Sequence, residues 1–167
     1  MKKIIAYTFL SATFLLSGVL ENSYTKEDFE KIDNRSGEEI AKEWAEEEAK
    51  NLPKITDSTE ITTNIMAINT KIYYTKEIIK ENDKKLNEML SNEKTKNIVL
   101  NLLYKDARNK LCTNNLTKAY INKKEIGIQA DYYDNKTKEH IGGISIDKSD
   151  CIKMEQEQKS KGKYSLY

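Results

Sequence analysis

The segment Ile126-Gly127-Ile128-Gln129-Ala130-Asp131-Tyr132 decides the fold. Its apolar members, Ile126, Ile128, Ala130 and Tyr132, alternate with Gly127, Gln129 and Asp131. Successive strand side chains point to opposite faces, so this alternation places one apolar row against a core and leaves the other row outside. Asp134-Asn135-Lys136-Thr137 then supplies turn residues, and residues 140–146 return as a partner strand with Ile144 and Ile146 facing inward. In Gly142-Gly143 the pair reads as a bulge or a close backbone approach, since the remaining glycines and the helix of a nucleotide loop are missing.

Working back towards the N-terminus, residues 59–70 are rich in Ile and Thr, and a second β-type run, residues 71–79, contains Ile72, Tyr73, Tyr74 and Thr75. A hairpin is the simplest pairing of the two. Between the hairpins the 3.6-residue period takes over. Lys84 to Leu90 fits a short helix, and residues 93–111 fit a long one with Val99, Leu103 and Ala107 on one stripe and Cys112 at its end. Leu116 and Tyr120, four apart, fit one or two further turns. Ahead of the first hairpin, Ser36-Gly37-Glu38-Glu39 has the form of a capping box, which starts a helix whose stripe includes Ile40 and Trp44 and which Pro53 closes after Leu52. The expected fold is α+β: an antiparallel sheet of about four strands packed on one face by helices.

The chain of 167 residues is the size of one domain. Met1-Lys2-Lys3 precedes an uncharged, mostly apolar run over residues 4–20, the basic and apolar regions of an export signal. Residues 1–23 are therefore read as a signal peptide or, uncleaved, as an N-terminal anchor, the only part expected to touch a membrane. Neither cleavage after Gly18, with Leu16 at minus three, nor cleavage after Ser23, with Glu21 there, has the preferred small residue. Residues 24–35 read as a polar spacer, 36–152 as a single α+β domain and 153–167 as a mobile polar tail. The expected location is the periplasm or cell envelope. In an oxidising compartment Cys112 and Cys151, the only cysteines, are read as a disulfide in preference to a redox or metal site. It would join the long helix to the end of the last strand, and closing a loop of roughly 40 residues stabilises a fold by about 3–4 kcal/mol in the chain-entropy model.

Charge and chemistry exclude more than they name. Removing residues 1–23 takes Lys2, Lys3 and Glu21 away and leaves 26 basic against 26 acidic residues, so there is no electrostatic footprint for nucleic acid. The one histidine, His140, sits beside a turn, and Glu46-Glu47-Glu48 reads as the solvated side of a helix. No catalytic, metal or cofactor site is expected. Two features read as candidate binding surface. One is an apolar patch of Ile40, Trp44 and Leu52; the other is the pair of tyrosine doublets, Tyr73-Tyr74 and Tyr132-Tyr133, of which one member each should lie on the open sheet face.

The order of elements resembles that of the β-type pilotin lipoproteins of type II secretion systems. The resemblance spans about residues 38–151 and is carried by the alanine-bearing helix ending in Leu52-Pro53, the Thr/Ile hairpin, the helix ending in Leu111-Cys112, and the strand–turn–strand ending in Cys151. It implies that Cys112 and Cys151 are bonded to each other and that the protein binds a secretin subunit, or another envelope protein, without catalysing a reaction. After Leu16-Ser17-Gly18 the family's lipid-bearing cysteine is replaced by Val19, which cannot be lipidated there. Similar small disulfide-closed domains serve as exclusion or inhibitor proteins that block a hydrolase, a phage or plasmid entry. For that class the turn at residues 134–138 is the presenting loop.

Overall fold

The computed structural model describes residue 30 and residues 32–163. The expected signal peptide, and residues 24–29 of the expected spacer, lie outside the described residues. Where the spacer enters the described part it is already packed: Ile32, in a helical turn, is fully buried, and Asp33 accepts from Lys123 at 2.9 Å.

Helix α1, Gly37–Ala49, starts on the capping box read from the sequence. The Ser36 hydroxyl accepts from the Glu39 amide at 3.1 Å while the Glu39 carboxylate accepts from the Ser36 amide at 2.8 Å, so two otherwise orphaned donors are satisfied. Gly37 is needed here, because a Cβ would lie 2.5 Å from the Lys124 carbonyl oxygen. The chain continues through β1 (Lys54–Asp57), β2 (Glu60–Ile68) and β3 (Lys71–Ile78). After a 3-10 turn at Lys80–Asn82 come α2 (Lys84–Leu90), α3 (Glu93–Thr113) and α4 (Asn115–Lys124), with side chains of Asp83, Asn92 and Asn114 capping their N-termini. Strands β4 (Gly127–Asp134) and β5 (His140–Ile146) and helix α5 (Lys148–Lys163) complete the order.

The sheet has five strands in the order β1-β2-β3-β4-β5 rather than about four, and it is mixed rather than antiparallel. Both expected hairpins form, β2–β3 and β4–β5. They meet through β3 and β4, which run parallel from Lys71↔Gly127 to Ile78↔Asp134. Three helices separate these strands, and a helical crossover returns the chain to the same end of the sheet, which is the condition for parallel pairing. The extra strand, β1, is a four-residue edge strand with a bulge, a form that blunts an edge against further pairing.

The helices cover one face, as expected. From the sheet, Ile72, Tyr74 and Ile78 of β3, Ile128, Ala130 and Tyr132 of β4, and Ile144 and Ile146 of β5 enter a single apolar cluster with Ile40 of α1, Leu86 of α2, and Leu103 and Leu111 of α3. Full burial of such side chains contributes about 1.5–3 kcal/mol each. The Gly142-Gly143 pair is a close approach: α3 lies so near β5 that a Cβ on Gly142 would come within 2.5 Å of Leu100 Cδ1. The ladder shifts register beside it, between Tyr132 and Tyr133.

Two expectations at the C-terminal end are corrected. Cys112 and Cys151 are bonded, with Cα atoms 5.1 Å apart, but Cys151 lies in the first turn of α5, so the bond joins helix to helix instead of helix to strand end. Of the expected mobile tail, residues 153–163 are helical, and residues 164–167 lie outside the described residues. Asp147 accepts from the Ser149 amide at 2.7 Å, Asp150 accepts back from the Asp147 amide at 2.9 Å, and Met154 is buried. Arg108 on α3 donates to Glu157 at 2.9 Å and Lys118 on α4 pairs with Glu155 at 2.5 Å, which fastens the helix on both sides.

Candidate functional site

The two faces of the sheet divide the residues singled out in the sequence. Ile40, Tyr74 and Tyr132 are buried in the core, and Trp44 and Leu52 are partly buried against it. Trp44 stacks at a tilt on Tyr120 of α4, with ring centroids 5.9 Å apart. The apolar stripe of α1 is thus the side that packs on β2 and β3, which takes Ile40 into the core and leaves Trp44 and Leu52 partly exposed at its edge. Burial, with the nearby charges of Glu60 and Asp106, raises the Tyr132 phenol well above its usual value, and burial likewise raises Tyr74.

Tyr73 and Tyr133 fall on the opposite face, which no helix among the described residues covers. Cross-strand neighbours on that face follow from the register. One row is Met66, Tyr73, Gln129 and Ser145; another is Ile55, Ile61, Glu77, Tyr133 and His140. Three large apolar side chains missed in the sequence stand open here: Ile55 is 70% exposed, Met66 46% and Ile68 53%. Met66 and Ile68 occupy alternate positions of β2, next to Tyr73. The signal in the sequence was the Met66-Ala67-Ile68 run, which reads equally well with either alternate inward. A register shift between Thr62 and Asn64 settles it, sending Ile65 in and Met66 out.

At the other end of this face the β4–β5 turn is tied to β3. Glu77 accepts from Asn135 at 2.6 Å and from Lys138 at 2.8 Å. Beside it, Asp134 is buried, pairs with Lys80 at 2.5 Å and accepts from the amides of Lys136 and Thr137, both at 2.8 Å. Burial opposes its charge, but the Lys80 ammonium and the two amides outweigh burial and hold the carboxyl down to about 2. His140 stacks at a tilt on Tyr133, at 5.1 Å between centroids, and approaches Asp131 at 3.6 Å. Among the described residues no group of three or more His, Cys, Asp or Glu is placed to hold a metal ion.

A feature of the core face was not anticipated. Lys76 of β3 and Glu60 of β2 form an ion pair at 2.5 Å with both side chains buried. The Tyr132 hydroxyl lies buried without a hydrogen-bond partner.

No protein-family model matches the chain, and no curated protein matches it in sequence. Solved structures do match in shape. A protein of Pseudomonas aeruginosa described as secreted superposes with a TM-score of 0.54 at 12% identity, over 77% of this chain and 99% of that one. EpsS, the type 2 secretion pilotin of Vibrio vulnificus, gives 0.52 at 9% identity over 76% and 97%. AspS, the type II secretion pilotin of Vibrio cholerae, gives 0.50 at 13% identity over 75% and 96%. At these identities the likeness speaks for architecture, and the five-stranded, disulfide-closed domain described above has the fold of the type II secretion pilotins.

Proposed function

We propose that this protein is an exported, non-enzymatic binding module of the cell envelope that holds a secretin subunit, or another envelope protein, on the open face of its sheet. The observation that carries the reading is the exposed group of Met66 and Ile68 beside Tyr73, with Ile55 exposed farther along the same face, which no helix among the described residues shields. Apolar side chains grouped on an otherwise solvated sheet face mark a contact surface. The pilotin fold supports the choice of partner class. Affinity purification from an envelope extract tests it, using the native sequence and a Met66→Asp/Ile68→Asp variant. Recovery of a secretin by the native protein and its loss from the variant is expected. Recovery of no secretion component removes the secretin, and recovery of the same proteins by the variant removes the open face.

A second reading, an inhibitor or exclusion protein, has its own observation. Glu77, Lys80 and Asp134 hold the turn at residues 134–138 by side-chain contacts on both flanks, which makes it a preformed loop of the kind that enters a cleft. Lysozyme inhibition and phage or plasmid entry assays discriminate the two.

A further inference from the structure

Helix α3 carries a second surface, on the other side of the molecule from the open sheet face. Its buried stripe is Val99, Leu103, Ala107 and Leu111, which packs towards the sheet. Facing away, Ile98 is 51% exposed and Leu102 44%, and residues four apart on a helix form one ridge. Lys94 and Lys105, both exposed, stand about one turn outside either end of this ridge, and exposed Asn97 and Asn101 lie beside it. The only acidic residues of α3 are engaged by lysines of the same helix, Glu93 by Lys96 at 2.6 Å and Asp106 by Lys110 at 2.7 Å. The ridge is therefore apolar in the middle and positive at both ends.

We propose that this ridge docks an amphipathic helix of a partner protein whose apolar residues are spaced four apart and flanked by glutamate or aspartate. A helix ridge of this length fits the groove between two rows of another helix, and the flanking charges select acidic sequences over basic ones. The asparagine amides favour a protein over a bilayer, since beside the ridge they would lose water on entering lipid but find carbonyls and carboxylates on a partner helix. The surface goes beyond the reading above and is separate from it. α3 packs on the helix-covered face, where Leu100 meets Gly142, so both surfaces are accessible at once and failure of one leaves the other standing.

The test is an NMR titration of the mature protein with two synthetic 18-residue helical peptides, each with leucines four apart, one flanked by glutamates and one by lysines. The glutamate peptide is expected to shift the amide signals of residues 94–105 and to bind at least about tenfold more tightly than the lysine peptide. Leu102→Asp should weaken it by a further factor of about ten with the spectrum otherwise intact, and Lys94→Glu/Lys105→Glu should reverse the preference. Equal binding of both peptides, shifts mapping elsewhere, or no binding overturns the proposal. So does binding of phosphatidylglycerol vesicles through residues 94–105 with no response to the peptides.

Discussion

The two faces of this sheet are built from neighbouring residues of the same strands, yet they obey different energetics. On β3, Lys76 points inward to Glu60 and Glu77 points outward to Lys138. Both pairs are short and oppositely charged, at 2.5 and 2.8 Å. The inner pair has been taken out of water, so each charge depends on the other for compensation; the outer one keeps much of its hydration through Lys138, whose side chain is 61% exposed. The tyrosine doublets repeat the contrast, with Tyr74 and Tyr132 inside and Tyr73 and Tyr133 outside. The inner face sets stability, and the outer face is the one we propose for recognition.

The contrast is broken most directly at the inner pair. Lys76→Ala leaves the Glu60 carboxylate buried and uncompensated, and should cost about 3–5 kcal/mol in denaturant unfolding, whereas Lys138→Ala should cost at most about 1 kcal/mol. Similar losses for the two would mean that the faces do not differ. The disulfide comes next. Cys112→Ser or Cys151→Ser should each lower stability by about 2–4 kcal/mol, and the double replacement should add little, since one cross-link is lost in every case. Thiol titration of the unfolded, unreduced protein should find no free thiol.

The sequence already showed most of the elements, and less of how they meet. The capping box at Ser36, the alternation around Ile128 and the stripe of α3 are local patterns, and local physics decides them. Parallel pairing of β3 with β4 depends on segments some fifty residues apart, and the two hairpins look alike whether they join parallel or antiparallel. Strand β1 follows Pro53 with Ile55 as its only large apolar residue, and α5 buries only Cys151 and Met154 along its described face, so neither has enough periodicity to be seen. The site was legible in part. Alternation split each tyrosine doublet between faces, but a helix stripe of Ile40 and Trp44 looks the same whether it meets its own sheet or a partner. Exposure of Met66 and Ile68 hung on a register shift that composition does not reveal.

Smaller effects sharpen the comparison. Because the Tyr132 hydroxyl has no hydrogen-bond partner, Tyr132→Phe should change stability by less than about 1 kcal/mol. Tyr73→Ala on the outer face should stay within about 1 kcal/mol. A last effect concerns acid. The Asp134 carboxyl is depressed in the folded protein to about 2 from its ordinary value of 3.8, so its contribution is complete above about pH 5 and is lost as pH falls through about 2. Asp134→Asn should flatten that limb of the stability curve; an unchanged slope would remove Asp134 from the balance.

The central claim, that the outer face receives another protein while the inner face does not, is tested most directly by site-specific photo-crosslinking in the envelope. A photoreactive phenylalanine analogue placed at Tyr73 should yield an adduct with an envelope protein, identified by mass spectrometry, and the same analogue at Tyr132, sealed in the core, should yield none. No adduct from Tyr73, or the same adducts from both positions, would contradict it.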